Sequence, residues 1–200
     1  RGRCDRLAAQ AGRVVISSDS AVRGWFDALV ARHRAVAAAS GERIEDIAVA
    51  AVPIRLRFGS ERMRGALFPA LAHQRSESGE PAFTILVSDG LASMPPSPWG
   101  LEDVGPKGEV AIATGGAIKT AYFVGSRTLS VIDLESRMAI CWTPEAVALP
   151  WYERAAPLRT LLHWILSAHR CSLVHAAAVA PAGDGSGALL AGRGGSGKST

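Results

Sequence analysis

The first clear pattern of apolar and polar positions follows a run of helix-capping residues. Residues 18–20 are Ser, Asp and Ser, whose side chains accept hydrogen bonds from the free N–H groups of a first helical turn. Apolar side chains then recur at helical spacing, with Trp25 and Leu29 among them. A Ser-Gly pair at 40–41 is a common helix end. The pattern predicts a helix that runs to about Ala39.

The next stretch, residues 47–58, is rich in β-prone side chains, and its second half alternates between apolar and basic positions. The apolar members are Ile54, Leu56 and Phe58, and the basic members are Arg55 and Arg57. Successive side chains of a strand point to opposite faces. The pattern therefore predicts a strand with one buried face and one solvated face.

A short helix is predicted after this strand. Ser60 is placed to cap it, and Met63, Leu67 and Leu71 follow at a spacing of four. Pro69 lacks a backbone N–H group, so it should kink or restart the helix.

Five further β-prone runs follow before position 150. They occupy residues 82–90, 110–114, 120–124, 128–132 and 138–142. Gly-containing pairs at 115–116 and 125–126 predict tight hairpins between neighbouring runs. Residues 1–150 are therefore predicted to form an α+β accessory domain with a meandering sheet.

A different pattern starts at 151, where residues 151–200 are predicted to begin an α/β nucleotide-binding domain. Pro157 suits the first turn of a helix whose apolar stripe lies on one face. The stripe consists of Leu158, Leu161, Leu162, Ile165 and Leu166. Two predicted strands follow, at 172–180 and 188–192, and the second, of a buried type, leads directly into a glycine-rich loop.

Composition excludes several classes of function. The chain has 200 residues and a net charge of +4, and its arginines are scattered, so a nucleic-acid surface is not predicted. Its cysteines, Cys4, Cys141 and Cys171, form no CxxC pair, so neither a zinc site nor a disulfide framework is expected. No apolar run approaches the ~18 residues that span a bilayer. We expect a cytoplasmic protein without membrane contact.

The motif with the clearest chemistry is Gly192-Arg-Gly-Gly-Ser-Gly-Lys-Ser, which matches the phosphate-loop pattern G-x-x-x-x-G-K-[ST] in full. Glycines let the backbone turn tightly, so that several N–H groups converge on the phosphates of ATP. Lys198 would reach the β- and γ-phosphates, Ser199 would ligate Mg²⁺, and Thr200 could touch the α-phosphate. The predicted nucleotide ligands are Gly192, Gly194, Gly195, Ser196, Gly197, Lys198, Ser199 and Thr200.

His175 is the other candidate, since it lies on the predicted strand before the loop. Two interpretations stay open from the residues alone. It is either a core histidine bonded to a carbonyl or a catalytic group near the transferred phosphoryl. The remaining histidines show no ligand spacing for a metal.

With these residues in view, the stretch SLVHAAAVA, a short turn and GALLAGRGGSGKST resembles the HPr serine kinase/phosphatase group of P-loop proteins. Residues 149–166 resemble a variant branch found beside peptide-modifying genes, some of whose members phosphorylate a serine on a lasso-type peptide. The resemblance covers residues 149–200 well. It implies an ATP- and Mg²⁺-dependent serine kinase in which Lys198 and His175 are catalytic and the substrate is a protein or peptide.

Two other functions remain open. One is an ABC-type or other P-loop ATPase, and the other is a non-catalytic nucleotide-binding sensor or scaffold. We expect the sequence to be a fragment of a longer protein, with catalytic acids beyond Thr200. The 200-residue chain alone would then be inactive and would bind ATP weakly at best, because a helix of a few residues is marginal in water. The first region would recognise the substrate or set a homo-oligomeric state.

Overall fold

The computed structural model describes residues 19–77, 79–90, 94–174, 176–180 and 186–192. The helices are α1 (Asp19–Ser40), α2 (Glu61–Leu67), α3 (Trp151–Ala155) and α4 (Arg159–Ala168). The strands are β1 (Arg43–Val49), β2 (Val52–Phe58), β3 (Phe83–Asp89), β4 (Ile118–Phe123), β5 (Thr128–Asp133), β6 (Met138–Thr143), β7 (Ala176–Val179) and β8 (Ala188–Ala191). The fold is mixed α/β.

A six-stranded mixed sheet organises the described residues, in the order β1-β2-β3-β6-β5-β4. The predicted meander is confirmed for β4, β5 and β6, which pair antiparallel in chain order. It is wrong for the centre of the sheet, where β2, β3 and β6 run parallel. Parallel neighbours need a crossover connection, and α2 with the turns after it supplies the one between β2 and β3.

Helices cover both faces of this sheet because its central strands are apolar on both sides. One face packs against α1, and its core includes Trp25, Leu29 and Leu86. The other face packs against α2 and α4, and its core includes Leu56 and Ile165. The predicted apolar stripe of α4 is confirmed, since all its leucines and its isoleucine are buried. This second core therefore continues across the predicted boundary at 150/151.

The stretch predicted as one strand at 47–58 is a hairpin. Ala50 and Ala51 form its turn, with φ of 50° and 63°, and they join β1 to β2. The alternation predicted for the second half is confirmed, because Ile54, Leu56 and Phe58 are fully buried. The intervening arginines point the other way and pair with Asp46 and Glu42 across the hairpin.

The strand predicted at 110–114 is wrong. A short 3-10 turn occupies Ala111–Ala113, and Thr114 Oγ1 donates to the carbonyl of Val110 at 3.0 Å. The glycine pair follows at once, and Gly116 has a φ of 56°. The chain turns both before and after this short segment. The segment therefore forms local hydrogen bonds and does not extend as a strand.

The helix signals at 60 and 157 have different outcomes. Ser60 caps α2 as predicted, since its Oγ accepts from the Met63 N–H at 3.2 Å. Pro69 lies within a 3-10 turn at Phe68–Ala70 that follows α2 directly, as predicted for a kink or restart. Pro157 is not in the first turn of α4, because Leu158 precedes that helix with a φ of 58°. This left-handed residue separates α3 from α4.

Candidate functional site

The glycine-rich loop enters the structure at Gly192, which directly follows β8. Of the predicted ligands, Gly192 is described and lies at the exposed end of the strand. The other loop ligands, at positions 194–200, lie outside the described residues, and so does His175. The motif therefore follows a strand, which is the local context that a phosphate loop needs.

The strand before the loop is half of a hairpin. β7 and β8 pair antiparallel, with Ala176 opposite Ala191 and Val179 opposite Ala188. In the sequence, His175 immediately precedes Ala176, and Gly192 immediately follows Ala191. The register thus brings the segment that follows the histidine beside the segment that precedes the loop.

The prediction that β8 is a buried-type strand is wrong for the described residues. Leu189 is 63% exposed and Leu190 is 47% exposed. Among the described strands, β8 pairs with β7 alone, and neither is part of the six-stranded sheet. A short apolar run is buried only where another layer of the protein packs on it, and the sequence pattern does not show whether such a layer is present.

A second polar site, which the sequence did not predict, lies between α1 and the sheet. His33 on α1 and Ser88 near the end of β3 are 1% and 2% exposed, and His33 Nδ1 lies 2.5 Å from Ser88 Oγ. His33 Nε2 lies 3.5 Å from Glu42 Oε1. Arg57 on β2 donates to both oxygens of Glu42, at 3.0 and 2.7 Å.

Charges in this cluster follow from burial and pairing. Burial lowers the pKa of His33 and outweighs the opposing effect of the Glu42 carboxylate, so the imidazole is neutral near neutral pH. Burial acts to raise the pKa of Glu42, but the hydrogen bonds and charge of Arg57 hold it below its ordinary value. The cluster therefore contains a neutral imidazole beside an ionised carboxylate.

A hydroxyl beside an imidazole that is itself beside a carboxylate is also the arrangement by which enzymes activate a nucleophilic serine. Here the hydroxyl and the ring are almost fully buried, so no substrate carbonyl reaches Ser88 Oγ in this conformation. The contacts instead join α1 to β2, to β3 and to Glu42, which lies just before β1. Positions 33, 42, 57 and 88 are too far apart in sequence for spacing to reveal such a cluster.

The carboxyl ends of the parallel strands carry a further polar group. In open α/β sheets this edge is the usual place for ligands. Ser60 Oγ donates to Asp89 Oδ1 at 2.9 Å, and Arg62 lies 3.8 Å from the same carboxylate.

Across the described ranges, no cluster of His, Cys, Asp and Glu side chains could hold a metal ion. In the same ranges, no helix has both the length and the apolar character needed to cross a bilayer.

Comparison with protein-family models, with curated proteins and with solved structures finds no match for this chain. No family is therefore assigned on that ground. The function has to be argued from the glycine-rich loop, from the hairpin that leads into it and from the side chains of the described residues.

Proposed function

We propose that the protein binds ATP and Mg²⁺ at residues 192–200 and transfers the γ-phosphate to a serine of a protein or peptide. The observation that carries the proposal is the complete G-x-x-x-x-G-K-S motif placed directly after strand β8. The motif needs a strand on its amino-terminal side, because the strand delivers the loop to one edge of the nucleotide site.

Each part of the loop has a physical task in this proposal. The backbone N–H groups of the glycines surround the phosphate oxygens, and Lys198 neutralises charge on the β- and γ-phosphates. Ser199 ligates Mg²⁺ through its hydroxyl. Phosphoryl transfer depends mostly on such positioning and charge neutralisation. The serine oxygen of the substrate forms the new bond to phosphorus, the bond to ADP breaks, and the serine proton passes to a base.

His175 is assigned to the same site. The β7–β8 register supports this assignment. Ala176 pairs with Ala191, and in the sequence His175 immediately precedes the first of these residues and Gly192 immediately follows the second. A histidine beside the γ-phosphate can donate a hydrogen bond to it or exchange a proton with the acceptor. His175→Asn would then slow transfer while leaving ATP binding intact.

ATP binding is tested by titrating the protein at its natural length with a fluorescent ATP analogue and Mg²⁺. We expect saturable micromolar binding that Lys198→Ala weakens by at least about 10-fold, because one charge-assisted contact to phosphate is lost. Lys119→Ala is the matched control and should bind as the parent does, since Lys119 lies on β4, away from the loop in sequence. A folded parent protein that binds no nucleoside triphosphate would overturn the proposal.

The same protein distinguishes transfer from the alternatives. ATP labelled at the γ-phosphate is incubated with a library of serine-containing peptides, and phosphoserine and free phosphate are both measured. A kinase produces phosphoserine that disappears in Lys198→Ala. Free phosphate without phosphoserine would support a P-loop ATPase, and tight binding without turnover would support a sensor or scaffold.

A further inference from the structure

A surface groove with a volume of about 530 Å³ lies beside α3 and α4. Trp151 and Tyr152 of α3 line it, together with Leu173 and Val174 from the segment that precedes β7. Two polar residues of α4 also line it. The volume is within the range of about 300–1,000 Å³ that is typical of ligand sites. The groove therefore has room for a large side chain of a partner.

The apolar side chains of this groove are open to solvent. Trp151 is 73% exposed and Val174 is 62% exposed. The rings of Trp151 and Tyr152 pack edge to face, with their centroids 6.0 Å apart. Single exposed apolar residues are ordinary on a protein surface, whereas several that share one groove are typical of an interaction site. Tryptophan and tyrosine are also the residues that most often dominate the binding energy of such sites.

Arg159 gives the groove a positive charge. Its side chain is 56% exposed, and its Nη2 lies 4.0 Å from Glu153 Oε1, which is too far for a hydrogen bond. Within the described parts of the chain, no side chain accepts a hydrogen bond from this guanidinium, so its N–H groups remain available to a ligand. The second polar residue of α4 is His163, and none of the described residues that line the groove is a carboxylate.

This charge favours an acidic partner over other parts of the protein. A second copy that packed the same face against this one would bring the Arg159 side chains of both copies into one interface. Residues 1–18 carry four arginines and one aspartate, and residues 193–200 carry two cations and no carboxylate. Neither a second copy nor these segments complements the charge of Arg159. A peptide with carboxylates beside an apolar residue does.

We propose that the groove binds an acidic peptide segment, with an aliphatic side chain against Trp151 and a carboxylate on Arg159. A guanidinium can hold a carboxylate through two parallel hydrogen bonds. The inference rests on the proposed function, since the peptide is assigned as the serine substrate. In the sequence, His175 follows Val174 directly. A peptide in the groove therefore contacts the segment that leads into the proposed site of phosphoryl transfer.

The first test compares three peptides by calorimetry in the absence of nucleotide. The probe is acetyl-Gly-Glu-Leu-Glu-Gly-Ser-Gly-amide. One comparison peptide has glutamine in place of both glutamates, and the other has alanine in place of leucine. We expect the probe to bind saturably, at least about 10-fold more tightly than the glutamine peptide and about 5-fold more tightly than the alanine peptide. A probe that binds no better than the glutamine peptide, or not at all, would overturn the proposal.

Variants of the protein locate the binding site. Trp151→Ala should weaken binding of the probe by at least about 5-fold, and the high exposure of Trp151 means that the fold does not depend on it. Val147→Ala is its control, because Val147 is also exposed and does not line the groove. Unchanged affinity in Trp151→Ala would contradict the assignment.

Arg159→Gln tests the charge. It should bind the glutamate and glutamine peptides with nearly equal affinity, because the charged contact is lost. Arg32→Gln is the matched control, since Arg32 is exposed on α1, which covers the opposite face of the sheet. A variant that still prefers the glutamate peptide by the parent's ratio would refute the role of Arg159. If Arg159→Gln fails to fold, the peptide series on the parent and Trp151→Ala decides.

Two further measurements separate this inference from the proposed function. Lys198→Ala should bind the probe as the parent does, so peptide binding without any ATP binding removes the kinase proposal and leaves the groove assignment. With ATP and Mg²⁺, the probe should be phosphorylated with a KM at least about 10-fold lower than that of the glutamine peptide. Equal KM values would refute the substrate role. Self-association that Trp151→Ala abolishes in analytical ultracentrifugation would identify a second copy as the occupant and overturn the proposal.

Discussion

At the scale of the residue, the response of stability to pH depends on buried titratable groups such as His33. Its pKa in the folded protein is lowered by burial, below the ordinary value of about 6.5. Between those two pKa values the unfolded chain binds a proton that the folded protein does not. The free energy of unfolding therefore rises with pH through this window and falls as the pH drops below about 6.5.

Asp133 acts in a separate, more acidic window. Burial acts to raise its pKa, but hydrogen bonds from Arg23 and Ser136 hold the pKa below the ordinary value of about 4. The stability it contributes is complete above its ordinary pKa and is lost as the pH falls through its lower folded pKa. The two groups can therefore be studied apart.

We predict that His33→Gln flattens the pH dependence of stability between about pH 7 and pH 5. Glutamine retains a polar group opposite Ser88 but does not titrate. The parent should lose up to about 1.4 kcal/mol per pH unit in part of this window, and the variant should lose less. Urea unfolding at several pH values measures the slopes. His73→Gln, at an exposed position, is the control and should retain the parent slope. Identical slopes in the parent and His33→Gln would refute the assignment.

At the scale of the element, the β1–β2 hairpin has a turn whose residue types do not match its backbone. Both central residues, Ala50 and Ala51, have positive φ, as in the turn type that favours Asn-Gly. The left-handed region costs an L-residue with a Cβ roughly 1–2 kcal/mol. The pairing of β1 with β2 along their full length compensates for this strain.

The double variant Ala50→Asn, Ala51→Gly should raise the free energy of unfolding by about 1–2 kcal/mol, because both new residues tolerate positive φ. Thermal and urea unfolding measure the change. Ala31→Gly provides a matched control on α1, where the same loss of a methyl group should cost about 1 kcal/mol. A destabilised turn variant would show that the backbone of this turn is not left-handed.

At the scale of the whole molecule, α4 belongs to the core of the six-stranded sheet although it lies beyond position 150. Its buried residues pack with strands from both halves of the sheet. A separate second domain starting at 151 would have its own core. The packing instead makes the stability of the sheet depend on α4.

Ile165→Ala should therefore destabilise the sheet itself, by about 2–5 kcal/mol, since Ile165 is fully buried. Far-ultraviolet circular dichroism and tryptophan fluorescence should report one coincident, shifted transition. Leu190→Ala, on the exposed hairpin strand, should shift it by less than about 1 kcal/mol. A sheet transition that is unchanged in Ile165→Ala would show that α4 folds apart from the sheet.

Local signals predicted much of this fold. The alternation at Ile54, Leu56 and Phe58, the Ser60 cap and the apolar stripe of α4 all reflect rules that act within a few residues. The sequence pattern does not predict the hairpin turn at 50–51, because alanine is uncommon in such turns. The sequence pattern does not predict the 3-10 turn at 111–113. The side chains there are β-prone, and their type does not indicate that the chain turns both before and after this short segment.

Most of the helical and strand segments, and the complete glycine-rich motif, can be read from the sequence alone, because periodicity and local hydrogen bonding depend on near neighbours. Folding in three dimensions makes β2, β3 and β6 parallel, packs α4 against the sheet and brings His33 into contact with Ser88. These features join residues far apart in the chain. Their energies come from burial and charge in three dimensions, which a one-dimensional pattern does not contain.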